Sequence, residues 1–389
     1  MPLDYSIINT TKELQSACDD LAQASHVAVD CEFIRDSSYY SDLCLVQLAS
    51  PEAAFLVDPK ADDIDLAPLL FLLNDCPVTK VFHSGEQDIE IFYEMTKRIP
   101  NPVFDTQIAA MAIGFGEQVG YQSLIGSLLK IQIEKTARFS DWAKRPLDKK
   151  QLDYAASDVI YLTQAYPIIL KQLQKEGRLE WIAEPMAGLV KPERYRFNPD
   201  EAWKRIKIAS RKRDVLGRLK ALVAWREAEA ANHNVPRGRI LRDDVLAGLA
   251  QQPVKDREQL ARARGVPGSW KNKDIGNRFL KALNASEPLS LEEVEARRSR
   301  NEPLNKTQGY LADLLSLFLK MRCEEKKVAP RMVAQKKDLN ALVMGVREGL
   351  PFLDGWRYDL FGYEALDLIE GRLTLMVEDD RLIVRKKTN

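Results

Sequence analysis

His26-Val27-Ala28-Val29-Asp30-Cys31-Glu32-Phe33 places two carboxylates two residues apart inside a run that otherwise reads as a buried strand. Side chains on a strand alternate between faces, so Val27, Val29, Cys31 and Phe33 point one way and Ala28, Asp30 and Glu32 the other. Two acids standing side by side on an apolar strand repel each other and lose water unless a cation or a basic group sits between them. The plainer reading is a strand end that reaches solvent. What the rest of the chain brings to these acids decides between the two.

Working outward, residues 5–8 suit a short strand, and Thr10 or Thr11 with Glu13 marks a helix start. Beyond the polar loop after Phe33, residues 43–48 and 53–57 read as two more strands joined by a Ser50-Pro51-Glu52 turn, which makes a meander with the opening strand. Residues 66–73 form an apolar helical segment, 78–83 a fourth core strand and 86–96 a helix. Helical patterns then follow at 106–113, 121–129 and, at greatest length, about 148–173. Strands first and helices around them indicate a layered α/β sheet.

The chain has 389 residues, enough for two or three domains. No apolar run approaches the roughly 18 residues of a membrane span. The start, Met-Pro-Leu-Asp-Tyr, has no basic-then-apolar pattern of a secretory signal, so a cytoplasmic protein is expected. Five cysteines without a C-x-x-C spacing read as reduced thiols, not as zinc ligands or a disulfide frame. The zero net charge conceals a division. Residues 1–200 hold 19 Lys and Arg against 30 Asp and Glu, and residues 201–389 hold 38 against 27. An acidic front half suits metal binding, and a basic back half suits either a polyanion or a solvated surface.

Three further stretches can join the opening pair. His83-Ser84-Gly85-Glu86-Gln87-Asp88 places Asp88 in the first turn of a helix, where the helix dipole favours an acid in any case. Tyr154-Ala-Ala-Ser-Asp158 sets a phenol and a carboxylate one turn apart on one helix face, with small residues between them that allow close packing. Asp105 before Thr106 is most simply an N-cap. Asp30, Glu32, Asp88 and Asp158 with Tyr154 are what a two-metal phosphodiester site requires, since two divalent ions about 3.5 to 4 Å apart clamp the attacking and leaving oxygens. Carboxylate oxygens suit Mg²⁺ or Mn²⁺, and three histidines in the whole chain argue against zinc. His83, which ends a core strand, reads more readily as structural than as catalytic.

Asp30-Cys31-Glu32-Phe33, His83 to Asp88, and Tyr154-x-x-x-Asp158, in that order, resemble the three motifs of DEDD-superfamily exonucleases, tyrosine subclass. Phe104-Asp105-Thr106-Gln107, Asp141-Trp142, Arg145-Pro146-Leu147 and the run from Tyr154 to Leu162 are similar to the ribonuclease D family at matching intervals. The resemblance implies a ribonuclease-H-like sheet and a 3′ to 5′ exonuclease that releases nucleoside monophosphates from the tails of RNAs such as tRNA precursors, with DNA as the alternative substrate. A non-catalytic RNA-binding protein is the reading from another class, and the intact acids and Tyr154 argue against it. On the family pattern Asp30, Glu32 and Asp158 hold one metal, Asp30 and Asp88 serve the second, and Tyr154 orients the attacking water.

Basic residues between the acids, Arg138, Lys144 and Arg145 among them, form either a rim for the substrate backbone or solvated surface. Tyr39 and Tyr40, after the opening strand, either stack on terminal bases or pack on the sheet edge.

Beyond residue 183 prolines and a glycine mark a linker at 184–200. Residues 201–287 are helical, and Leu222, Trp225-Arg226, Pro236, Ile240, Leu246, Leu249-Ala250 and Gly265 are similar to the HRDC domain, a helical nucleic-acid-binding module. Its charged surface, with Arg237 and Arg239, is the candidate RNA contact. A shift of 94 residues lays Val235-Pro236-Arg237 on Ala329-Pro330-Arg331, which points to a second, diverged HRDC-like domain at 301–372 that either binds nucleic acid or has a packing or ring-closing role. Residues 373–389 form a tail that alternates like a β-hairpin. The expected whole is an α/β ribonuclease-H-like exonuclease domain at 1–183 followed by two all-α HRDC-type domains, acting as a monomer on RNA and away from membranes.

Overall fold

The computed structural model describes residues 3–133, 137, 140–300 and 303–387. Six strands, β1 (Ser6–Ile8), β2 (His26–Ile34), β3 (Asp42–Ala49), β4 (Ala54–Val57), β5 (Thr79–Phe82) and β6 (Val103–Asp105), form one mixed sheet in the order β1-β4-β3-β2-β5-β6. The meander β2-β3-β4 is antiparallel, while β1 joins β4, β5 joins β2 and β6 joins β5 in parallel. The strand at 103–105 was not expected, because three residues are too few to show a period of two. Asp105 ends this strand and also caps the next helix, accepting from the backbone N–H groups of Gln107 (2.8 Å) and Ile108 (3.1 Å).

Helices α1 (Thr11–Ala22), α2 (Ala67–Asn74) and α3 (Glu86–Thr96) cover one face of the sheet. Their apolar sides meet Val27, Val29, Cys31, Val46 and Leu48. On the other face lie α4 (Thr106–Ala112), α5 (Tyr121–Leu129), α6 (Lys149–Lys175) and α7 (Leu179–Leu189). The start of α6 is fixed by a capping box, with Asp148 accepting from the Gln151 N–H at 2.9 Å and Gln151 accepting in return at 3.0 Å. Ala155 and Ala156, fully buried beside Leu45 and Leu56, let this helix lie close on the meander.

Two helical units follow. In the first, helices Arg213–Asn232, Arg237–Ile240, Asp243–Gln251 and Asp274–Asn284 enclose a separate core around Leu219, Leu222, Trp270 and Phe279. In the second, Lys306–Lys326, Pro330–Val333, Lys336–Val343 and Tyr363–Ile369 repeat the plan. Both copies need a glycine where the last helix meets a buried aromatic turn. A Cβ at Gly276 would stand 2.4 Å from the Trp270 carbonyl oxygen, and one at Gly362 would stand 1.9 Å from that of Phe352. The second unit shares one core with the sheet domain, in which Leu315, Phe318 and Leu319 join Ala109, Ile125 and Ile182. Trp181 of α7 stacks on Trp356 at 4.3 Å, with the rings 8° from parallel. Packing, of the two roles considered for this copy, is the one the contacts display.

The linker at 184–200 is packed against the sheet domain. It is largely helical, Tyr195 within it is buried, and Arg194 pairs bidentately with Glu86 of α3 at 2.7 and 2.6 Å. Proline and glycine content marks a connecting segment, and within it Pro185 lies in α7 and Pro192 opens a short helix. At the end of the chain Leu373–Glu378 and Arg381–Lys386 pair as a hairpin whose two turn residues, Asp379 and Asp380, take φ of 49° and 57°.

Candidate active site

The α6 face of β2 carries Ala28, Asp30 and Glu32, buried at Ala28 and opening at Asp30. A register shift between Glu32 and Phe33 bends the strand there, re-aiming the side chains at its end. Across from them α6 contributes Asp158, and Asp30, Glu32 and Asp158 each offer an oxygen such that all three lie within 4.8 Å of one another. The Tyr154 hydroxyl, one turn earlier on α6, donates to Asp158. From α5 the Tyr121 hydroxyl donates to the Ser157 carbonyl at 2.7 Å, steadying this turn of α6 from the side.

Burial pushes the Asp30 carboxyl up to about 7. Asp158 is held well above the usual carboxylate range by burial first and by the charge of Asp30 second. Burial, together with the nearby carboxylates, also raises the Tyr154 phenol. Among the described residues no Lys or Arg pairs with Asp30, Asp88 or Asp158. Three converging carboxylates, with Asp30 and Asp158 desolvated and without a basic partner, are a poor resting arrangement and a good hard-oxygen donor set for Mg²⁺ or Mn²⁺. Asp88, buried in the first turn of α3, stands outside this group of three. Burial and the charge of Asp30 raise it, and it accepts a hydrogen bond from the Cys31 thiol.

Residues 5–174 match the family model described as 3′-5′ exonuclease, and residues 215–283 match the HRDC domain. The chain is 49% identical to ribonuclease D of Sphingobium indicum over 379 residues, 97% of this chain and 98% of that protein. With ribonuclease D of Zymomonas mobilis it shares 45% identity, over 97% of each chain. The chain belongs to the ribonuclease D family. With that membership comes 3′ to 5′ exoribonuclease activity. The crystal structure of Escherichia coli RNase D, described as an exoribonuclease involved in structured RNA processing, superposes with a TM-score of 0.74 at 25% identity, covering 95% of this chain and 99% of that one. The sheet domain followed by a helical HRDC region is thus the architecture of the ribonuclease D family, and no helix among the described residues is long and apolar enough to cross a membrane.

The other candidate residues fall in different places. Cys31 faces the apolar core as expected, but its thiol also meets Asp88. His83 has both ring nitrogens engaged, Nε2 with the Val119 carbonyl at 3.1 Å and Nδ1 with Thr106 Oγ1 at 2.9 Å, and burial lowers its pKa. Arg145, offered as either substrate rim or solvated surface, has its guanidinium engaged within the protein. Its guanidinium grips Asp58 at 2.6 and 2.7 Å and donates to the carbonyls of Cys44 and Trp142, anchoring the segment before α6 to the sheet. Tyr39 neither packs on the sheet edge nor stands free to stack. Its hydroxyl donates to Glu227 of the first helical unit at 3.1 Å, and the N–H groups of Tyr39 and Tyr40 both donate to Asn234 at 3.1 Å. The Tyr40 ring remains 38% exposed. Arg237 reaches Glu227 at 3.7 Å from a largely exposed position, and Lys144 and Arg239 are exposed. Arg138 lies outside the described residues. A cleft of about 1240 Å³ runs between the sheet domain and the first helical unit, lined by Tyr39, Tyr40, Arg194, Arg205 and Arg237 among others. The sequence reading passed over Gln47, the single amide in the apolar run of β3, directly opposite Asp30.

Proposed function

We propose that Asp30, Glu32 and Asp158, with Asp88 to one side, hold two divalent cations, Mg²⁺ or Mn²⁺, and that the chain trims the 3′ ends of tRNA precursors or other structured RNAs in the cytoplasm as a monomer. The observation that carries this reading is the convergence of three carboxylates from β2 and α6 within 4.8 Å. When bound, the cations supply a lowered pKa for water and charge neutralisation at the phosphate. The residues do the positioning. Asp30, from the middle of a sheet strand, and Asp158, from a helix packed on alanines, sit on rigid elements that keep their spacing. Tyr154 keeps its proton near neutral pH because burial and the carboxylates raise it, so it serves as an orienting hydroxyl and not as a base. Lys144, Arg237, Arg239 and the exposed ring of Tyr40 are the candidates for holding RNA, by phosphate contact and by stacking. The functional division proposed is a nuclease domain at 1–183, an HRDC domain at 201–287 and a second HRDC-like domain at 301–372.

The test is a 3′-tailed RNA and a matching DNA, each labelled at the 5′ end, incubated with Mg²⁺, with Mn²⁺ or with chelator. Stepwise shortening of RNA that stops in chelator and in Asp30→Asn supports the reading. Equal shortening by Asp30→Asn and wild type removes the site, and faster shortening of DNA than of RNA removes the substrate.

A further inference from the structure

Gln47 lies in β3, directly opposite Asp30 in the antiparallel register of β2 and β3. Residues opposite each other in such a ladder share a face, with Cβ atoms about 4.5 to 5.5 Å apart. The side chain is 0% exposed, and neither its amide nitrogen nor its amide oxygen has a hydrogen-bond partner. Its surroundings are otherwise apolar. Leu45 and Ala49 flank it on the same face of β3, Leu56 stands opposite on β4, and Ala155 and Ala156 of α6 cluster with Leu45 and Leu56. A buried amide without partners is destabilising, and a methionine or leucine would fill the same volume without that penalty. This buried amide therefore stands beside the acid that the proposed site cannot do without.

We infer that Gln47 is a positioning residue for Asp30: its Nε2–H donates to the Asp30 carboxylate once a divalent cation is held there, fixing which oxygen faces the ion. A neutral amide suits this task, since it supplies a donor without adding the positive charge with which a lysine would compete against the cation. Carboxylate ligands are commonly oriented by such an outer hydrogen bond, and its loss typically weakens metal affinity or activity by about 10- to 100-fold. The inference rests on the carboxylate site proposed above.

The experiment uses the full chain, freed of metal by chelator and dialysed, and titrated with Mn²⁺ while free Mn²⁺ is followed by electron paramagnetic resonance. Wild type, Gln47→Met, Gln47→Leu and Asp30→Asn are compared, with melting curves in chelator and kcat and KM for a short RNA. Both Gln47 variants are expected to melt at or above wild type, to bind Mn²⁺ about 10- to 100-fold more weakly and to lose kcat with KM unchanged. Asp30→Asn is expected to lose the site. Mn²⁺ affinity within twofold of wild type in both Gln47 variants overturns the inference. So does a melting temperature well below wild type in both, because the amide would then be serving the metal-free core. Should Asp30→Asn also bind like wild type, the carboxylate site itself is refuted, a result the Gln47 variants cannot mimic.

Discussion

Residues 213–284 keep their apolar side chains to a core of their own, whereas residues 306–369 press theirs into the sheet domain. The first unit reaches the sheet domain through the loop after β2, by the Tyr39 hydroxyl on Glu227, by two backbone donors on Asn234 and by the packing of this one tyrosine against its core. The second unit is tied in by Phe318 and Leu315 among the helices of the nuclease core, by the Trp181–Trp356 stack and by Arg178, which donates to Ala112 and Lys326 carbonyls at 2.6 and 2.7 Å. Polar, narrow attachments resemble transient interfaces and permit relative movement; a shared apolar core does not. Two copies of one helical plan have thus taken different work. The first is an arm with its own core beside the cleft, and the second is part of the frame that holds α6 and Asp158.

The largest effect that can break this contrast is Phe318→Ala. Phe-to-Ala changes in cores cost about 3–5 kcal/mol, and here the loss should fall on the nuclease domain, lowering melting of the whole chain by roughly 10 °C together with activity on short RNA. Phe279→Ala removes as much from the first unit. Calorimetry should show a separate, earlier transition, with cleavage of a short oligonucleotide retained. A single cooperative transition in both variants would mean the two units belong to one frame.

A middle-sized effect concerns the frame's own acids. Without a cation, burial raises Asp30 from 3.8 to about 7. Between those values the native state binds more protons than the unfolded chain, so stability is lost as pH rises through that window. In chelator, wild type should therefore melt lower at pH 8 than at pH 5. Asp30→Asn should lose part of that slope and melt a few degrees above wild type at pH 8, while the transition of the first unit stays in place. An unaltered pH slope in the variant would remove burial of Asp30 as its source.

The smallest effect is at the arm's attachment. Tyr39→Phe removes one hydrogen bond to a buried carboxylate, worth about 1.5–3 kcal/mol. Affinity for a long RNA, measured by filter binding, should fall severalfold, with the rate on a short oligonucleotide unchanged. Equal affinity would show that the arm's orientation is set elsewhere.

Much of this arrangement was legible in the chain. Alternation over residues 26–33 separated Asp30 and Glu32 from Cys31, and the helices at 86–96 and 121–129 fall at the expected bounds, because the local apolar period decides them. What stayed hidden depends on partners far along the chain. Arg145 carries the same charge in a list whether it faces RNA or Asp58, 87 residues away. Asp88 comes from α3, not from β2 or α6, so it stands outside the group of three while still feeling the charge of Asp30 and accepting from the Cys31 thiol. Residues 184–200 have the composition of a loop, yet Tyr195 gives them a core contact that only the folded chain reveals. Gln47 was within reach of the same alternation that exposed Asp30, since an amide in an apolar strand calls for a partner.

Single-turnover cleavage of a 5′-labelled RNA by Asp158→Asn at saturating Mg²⁺ bears most directly on the site. Asp158 is the carboxylate that α6 brings to the β2 pair, so its loss should slow the first cleavage roughly a thousandfold, several kcal/mol of barrier, with RNA affinity retained. A rate within twofold of wild type would contradict the assignment of this acid cluster as the active centre.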